Sequence, residues 1–280
     1  MSGSPVRFRG NAETLLIPLC AKARESNSSR RIIHDPKAAE IVQNIDRDLT
    51  ELKIPAKTQT MMSLRAVAFD DIARDFLEHH PGSLVLHPGC GLDSRVLRVN
   101  AKAAGADWYD LDYPDVIDVR RRFFEEDEHY HMIPSSLTRL SWIDELPVKP
   151  GKQLVLAEGL LMYLRRSNIR AVLGKLRRHL GEFTLVFDTF STFTAKHVAR
   201  HPSLRKTGAS VRWGIDDPQE MEELVHGLSF RKEIYFMSGK YIEKLHPATR
   251  LVYRFANCFR SARKAHRIMI YDMHAVKRAK

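Results

Sequence analysis

Cysteine is scarce in this chain. The three that occur among 280 residues, Cys20, Cys90 and Cys258, lie far apart and form no Cys-x-x-Cys pair. That spacing and odd number exclude a disulfide framework and a cysteine-held zinc, point to no metal site, and fit a reducing, cytoplasmic setting. Long apolar runs are missing as well. Residues 15–21 are too few to span a bilayer and contain Pro18, and residues 1–10 have no apolar segment after their arginines. Neither a membrane span nor a secretion signal is expected, and no membrane is expected as a partner. There is no internal repeat and no low-complexity tract. With 44% hydrophobic and 28% charged residues the chain can bury a core, which excludes a disordered protein.

Interleaved stacking aromatics are also absent, and this bears on the charge. The formal charge is +11, with residues 1–150 contributing about −3 and residues 151–280 about +14. The excess is spread along helical stretches such as 165–178 and 260–264. Without an aromatic-basic strip this reads as solvated helix faces, so nucleic acid is not the expected partner.

What is present centres on Leu84-Val85-Leu86-His87-Pro88-Gly89-Cys90-Gly91-Leu92-Asp93. An apolar run reads as a buried parallel strand, it breaks into a Gly-x-Gly turn, and residues 93–99 read as the next helix. A second strand, residues 107–112, ends in Asp112 about 20 residues later, where a ribose-binding carboxylate belongs. The third glycine of the dinucleotide fingerprint is missing, because Ser94 and Arg95 follow Asp93. That argues against a pyrophosphate on the helix start and for an adenosine without one. S-adenosylmethionine is the candidate cofactor, with Gly89 and Gly91 at its amino-acid part and Asp112 at its ribose.

Alternating patterns extend this into a doubly wound α/β fold, mostly parallel, with ligand at the carboxyl edge. Residues 1–60 read as a helical cap or lid within the same domain, Asp35-Pro36 starting the helix 37–45. Residues 61–280 read as the Rossmann-like core, with an irregular, substrate-covering insertion near 190–217 that includes His201 and Gly208. Helices are expected at 12–24, 61–79, 116–124, 167–180, 221–228 and, interrupted at Pro247, 242–262, and strands at 130–134, 153–159, 183–189, 230–237 and 266–274. On the helix 61–79 the stripe Leu64, Val67, Ala68 and Ile72 turns Arg65 outward. Arg120, Arg121 and Arg122 point in different directions and read as mostly solvated. Glu158 ends the fourth strand, where it either meets ligand or caps the following helix.

The runs His87-Pro-Gly-Cys-Gly-Leu-Asp-Ser-Arg95, Trp108-Tyr-Asp-Leu-Asp-Tyr-Pro114 and Ala157-Glu-Gly-Leu-Leu-Met-Tyr-Leu164 resemble the leucine carboxyl methyltransferase family, in its bacterial branch of tetracenomycin-type polyketide O-methyltransferases. The resemblance implies a class I S-adenosylmethionine-dependent methyltransferase. It implies a cofactor role for Arg65, against the outward reading, and for Arg30, Gly89, Asp112 and Glu158. Ser136 and Leu137 fall where the family has an acid followed by leucine beside the adenine, so serine is a departure. Tyr163, His197 and Trp213 are candidates for the substrate pocket wall. The partner implied is a small-molecule methyl acceptor, polyketide-like, methylated on a carboxyl or a hydroxyl group, and the basic residues of the second half would attract an anionic one. A carboxylate is already ionised at neutral pH and needs no base, whereas a hydroxyl usually wants one. An RNA methyltransferase and a cofactor-binding protein without catalysis stay open beside this reading.

Overall fold

In the computed structural model, residues 15–45, 49, 52, 54–198 and 210–276 are described. Three helices precede the sheet: α1 (Leu16–Ser26), α2 (Pro36–Asn44) and α3 (Ala56–His79). Asp35 caps α2, its carboxylate accepting from the Ala38 N–H at 2.9 Å, and Pro36 occupies the first turn, where its missing N–H costs nothing. The sheet and its helices follow as β1 (Leu84–Pro88), α4 (Arg95–Arg98), β2 (Asp107–Asp112), α5 (Pro114–Arg120), β3 (Tyr130–Pro134), β4 (Gln153–Ala157), α6 (Arg166–Leu180), β5 (Phe183–Phe190), α7 (Thr192–Val198), α8 (Gln219–Leu224), β6 (Leu228–Ile234), α9 (Pro247–Ala256), α10 (Arg260–Lys264) and β7 (His266–Met273).

The seven strands lie in the order β3-β2-β1-β4-β5-β7-β6. The first five are parallel, and β7 runs antiparallel to both β5 and β6. The mostly parallel, doubly wound sheet expected from the sequence is therefore present. Both faces are covered. Leu64, Phe69 and Phe76 of α3 join Ile41 and Leu19 against one face, while Ile169, Leu173 and Leu176 of α6 pack on the other. All eight residues of β5 are buried, Thr184, Asp188 and Thr189 among them, so this strand shows no apolar-in, polar-out alternation. Edge strand β6 instead exposes Arg231 and Lys232.

Several expected element ends move, each for a local reason. The helix after the glycine turn is only four residues long, since Asn100 takes a left-handed φ of 53° and a 3-10 turn follows at Ala101–Ala104. The helix expected at 242–262 breaks at Pro247 as expected, but the piece before it is a 3-10 turn at Gly239–Lys244, and a second break at Phe259, whose backbone is extended, separates α9 from α10. Residues 12–14 of the first expected helix, and His201 and Gly208 of the expected insertion, lie outside the described residues. Among the described residues no helix is long and apolar enough to cross a membrane.

Candidate functional site

In this strand order the chain leaves β1 for one half of the sheet and β4 for the other, so a crevice opens at their carboxyl ends. There the structure has a cleft of about 450 Å³, a volume suited to a nucleoside-sized ligand. Gly89, Cys90 and Gly91 form one wall and Glu158, Leu160 and Tyr163 the other. Gly89 has a φ of 69°, and a Cβ there would sit 3.0 Å from a methyl carbon of Leu160. Only glycine leaves the cradle open. The Gly91 N–H donates to Asp112 Oδ2 at 2.8 Å, and the Tyr113 N–H donates to Oδ1 at 2.8 Å. Asp112 is thereby fixed at the lip with acceptor capacity to spare. Burial raises its pKa, the two amides opposing.

Arg65 does not point outward. It is 7% exposed and reaches between the ends of β4 and β5, donating from Nε to Glu158 Oε1 at 2.8 Å and from Nη1 to Asp188 Oδ2 at 3.0 Å. A polar contact at the sheet edge thus overrides the apolar stripe as a guide to orientation. Burial would lower its pKa, but Asp188 and Glu158 outweigh that and raise it, so the charge is permanent. Nη2 keeps no carboxylate partner among the described residues. Gly159, at φ 60°, lies so close that a Cβ would meet this nitrogen at 3.3 Å. Asp188 also accepts from the Gly159 N–H at 2.5 Å and from His266 Nε2 at 2.6 Å. Burial works against its ionisation, yet Arg65 and His266 hold its pKa well below the usual carboxylate range.

Beneath the cleft the charges form a closed set. Arg95, wholly buried, donates to Asp70 at 2.9 Å, to His87 Nε2 at 3.1 Å and to Glu158. Arg98 spans Asp70, Asp35 and Asp93 at 2.7 to 2.9 Å. Lys22 reaches Asp93 from α1 at 2.7 Å. Because a guanidinium only donates, His87 Nε2 must accept, and its Nδ1 donates to Asp110 at 2.8 Å. This accounts for the histidine at the end of β1. Such a network adds little net stability, but removing one member strands a buried charge.

Several sequence candidates lie elsewhere. Arg30 stands on an exposed turn, and Lys22 is the basic residue that α1 brings to the cleft. Ser136 and Leu137 do not line it, while the neighbouring Thr138 does; Ser136 Oγ is 3.0 Å from the Thr138 hydroxyl. His197 is exposed, its Nδ1 2.8 Å from the Phe193 carbonyl. Trp213 turns away to donate to the Leu164 carbonyl at 2.9 Å, and Arg212 beside it enters the cleft. Tyr163 does line the cleft, and burial raises its pKa, so its hydroxyl stays protonated at neutral pH. Arg120 is not solvated: it is wholly buried against Asp110 and donates to the Tyr130 hydroxyl at 2.7 Å, whereas Arg121 and Arg122 are exposed. The sequence does not single out Arg95, Asp188, Arg165 or Arg212 as site residues. Asp188 carries the same signal as Glu158, an acid at a strand's carboxyl end; the arginines carry none that the sequence isolates.

A family model described as leucine carboxyl methyltransferase matches residues 16–177. The chain belongs to the leucine carboxyl methyltransferase family. It is 34% identical over 269 residues, 96% of this chain and 99% of the other, to the tetracenomycin polyketide synthesis O-methyltransferase TcmP of Streptomyces glaucescens. It is 30% identical over 262 residues, 85% of this chain and 88% of the other, to the S-adenosyl-L-methionine-dependent methyltransferase dpfgK of Gibberella zeae. In fold it is similar to the methyltransferase domain of a bacterial protein, CtHen1-C, with a TM-score of 0.50 and 13% identity over 76% of this chain and all of that one. The fold of this chain is of the class I methyltransferase type, the activity is S-adenosylmethionine-dependent O-methylation, and the acceptor is a small molecule.

Proposed function

We propose that the cleft binds S-adenosylmethionine with its ribose hydroxyls on Asp112 and its amino-acid part along the Gly89 to Gly91 backbone, the carboxylate facing Arg65 Nη2. The open cradle over Gly89 and the two amides that fix Asp112 support this placement. Glu158 then acts on the cofactor site through Arg65 and Arg95, as their buried counter-charge. The helices before residue 60 act as the cap, contributing Lys22 and the residues around Pro18 to the cleft wall.

We further propose an anionic acceptor, a polyketide-type aromatic acid, methylated on its carboxylate or on an acidic hydroxyl. One observation carries this. Arg165 and Arg212 both line the cleft and have no carboxylate partner among the described residues, while the acids that line it, Asp93, Asp112 and Glu158, are all held by cations or backbone amides. The cleft therefore offers charge to an anion. None of those acids is free to act as a base, and His87 is held between Arg95 and Asp110. S-adenosylmethionine supplies a methyl group already activated for displacement by its sulfonium. The protein's part is to align the acceptor oxygen and exclude water. That the relative from Streptomyces glaucescens is named for tetracenomycin polyketide synthesis supports the polyketide class.

The test is a labelled-methyl transfer assay over a panel of aromatic acids and phenols, each product then treated with mild alkali. Esters release methanol and ethers do not. The expected result is an alkali-labile product, formed with a KM that rises steeply with salt. An alkali-stable product would move the reading to hydroxyl methylation. Transfer to RNA with none to any acid or phenol would overturn it, as would cofactor binding without transfer to any acceptor.

A further inference from the structure

The segment between β6 and β7, residues 235–265, carries a surface that the methyl-transfer site does not use. Its helix α9 is firmly mounted. Ile242, Leu245 and Phe236 are buried beneath it, Tyr253 packs against the same core, and the Asn257 side chain donates to the carbonyls of Met237 and Tyr253, both at 2.7 Å. Mounted this way, the helix turns its apolar face outward. Leu251, Val252 and Phe255 are 66% to 68% exposed, and Phe259, one turn beyond Phe255, is 55% exposed. The last two rings stack edge to face with centroids 5.6 Å apart. None of the ten residues of α9 is buried. A surface helix normally turns its apolar face inward, whereas α9 presents Leu251, Val252 and Phe255 to solvent.

The charge around this stripe is of one sign. Residues 235–265 contain seven lysines and arginines against one acid, Glu243, with Lys240 paired outside the segment to Asp71 at 2.7 Å. Glu243 is taken up by Arg250 at 3.0 Å and Arg254 at 2.8 Å. Arg260 and Arg263 flank Phe259 with no carboxylate partner among the described residues, Arg263 lying over the Tyr235 ring at 5.8 Å.

Against the expectation from the sequence that no membrane is a partner, we propose that α9, Phe259 and α10 form a docking surface for an anionic lipid bilayer, with Leu251, Val252, Phe255 and Phe259 entering the headgroup boundary and Arg260, Arg263 and Lys264 meeting acidic headgroups. Convex apolar side chains above a cationic border match an interfacial helix, which lies on a membrane and does not span it. A second copy fits less well. With side chains of roughly 150–250 Å² the stripe exposes on the order of 450 Å², short of the ~800 Å² per partner of a stable interface. A two-fold contact would also bring two such positive segments together.

The test is co-sedimentation of the full chain with vesicles of phosphatidylcholine alone or mixed with phosphatidylglycerol, at low and high salt. A Phe255→Trp variant reports insertion by its emission. The expected result is binding to the phosphatidylglycerol vesicles only, a blue shift on binding, and loss of both at high salt. Partition should fall about tenfold or more in a Phe255→Ser/Phe259→Ser double variant and in an Arg260→Gln/Arg263→Gln/Lys264→Gln triple variant. Circular dichroism and S-adenosylmethionine binding confirm that these variants fold, and both are expected unchanged. No binding to either vesicle would overturn the proposal, as would binding that persists in the double variant. A concentration-dependent dimer that the double variant abolishes would assign the face to a second copy instead.

Discussion

Arg120 Nη1 donates to the Gly91 carbonyl at 3.1 Å, while the N–H of the same glycine is held by Asp112 at 2.8 Å. The turn at the end of β1 is therefore gripped from both sides of one residue, by a buried cation behind it and by a carboxylate at the cleft. The cation is fixed by Asp110 on β2 and the Tyr130 hydroxyl on β3, so three adjacent strands and α5 together set the position of the cofactor wall. Two glycines give the turn its shape, but this lattice gives it rigidity.

Arg120→Met is expected to lose about 3–5 kcal/mol of stability, because it leaves Asp110 buried with its charge only partly compensated. Arg120→Lys keeps the charge but cannot fork to Asp110, Tyr130 and Gly91 at once. That variant is expected to fold and to bind S-adenosylmethionine about tenfold more weakly. Denaturant melts and calorimetric titration separate the two effects, and a lysine variant of undiminished affinity would show the Gly91 contact to be idle.

Asp112→Asn retains an oxygen for one of the two backbone amides and should remain folded. Its affinity for S-adenosylmethionine and for the demethylated product is expected to fall about 10- to 100-fold, and NAD should not bind even the wild type. Burial raises the Asp112 pKa. If the carboxylate form holds the ribose, cofactor affinity declines on acidification at a pH above the usual carboxylate value of ~4. In the asparagine variant that part of the decline disappears, which the same titrations across pH would detect.

The elements legible in the sequence are those whose cause is local. Strands β1, β4 and β5 read as mainly apolar segments because a doubly covered parallel sheet buries both faces, and Gly89, Gly91 and Asp112 pair because a strand-turn-helix has a fixed length. Apolar periodicity alone misplaces Arg65 and Arg120, and the family resemblance is what puts Arg65 at the cleft. Each sits on a helix whose apolar periodicity says only which face is inward, and each is drawn inward by a carboxylate on another element, Glu158 93 residues away and Asp110 ten residues back on β2. Lys22 has no sequence signal at all, since it meets Asp93 only when α1 folds back over the turn.

Acid should weaken this fold in two stages. Burial lowers the pKa of His266 below its ordinary value of ~6.5, with Asp188 partly opposing. A lowered folded-state pKa gives stability that is whole above the unfolded value and is lost as pH falls toward the folded one. Melting temperature should therefore begin to drop below about pH 6.5. Asp188, Glu158, Asp93 and Asp110 are all lowered too, and their contributions go below about pH 4. His266→Gln keeps an N–H donor for Asp188 but does not titrate, so the first stage should vanish from its melting curve and the second remain.

Arg212 separates acceptor from cofactor. It enters the cleft beside Tyr163, whose carbonyl accepts from its Nε at 3.0 Å, and it has no carboxylate partner among the described residues. If it attracts an anionic acceptor, Arg212→Gln raises KM for an aromatic acid roughly tenfold while the affinity for S-adenosylmethionine stays as it was. The salt dependence of KM should flatten in the same variant, because the charge that salt screens has gone. Arg165→Gln should act alike, and the double variant more strongly. A loss of cofactor affinity with acceptor KM unmoved would place Arg212 at the S-adenosylmethionine carboxylate, and the cationic mouth would then belong to the cofactor.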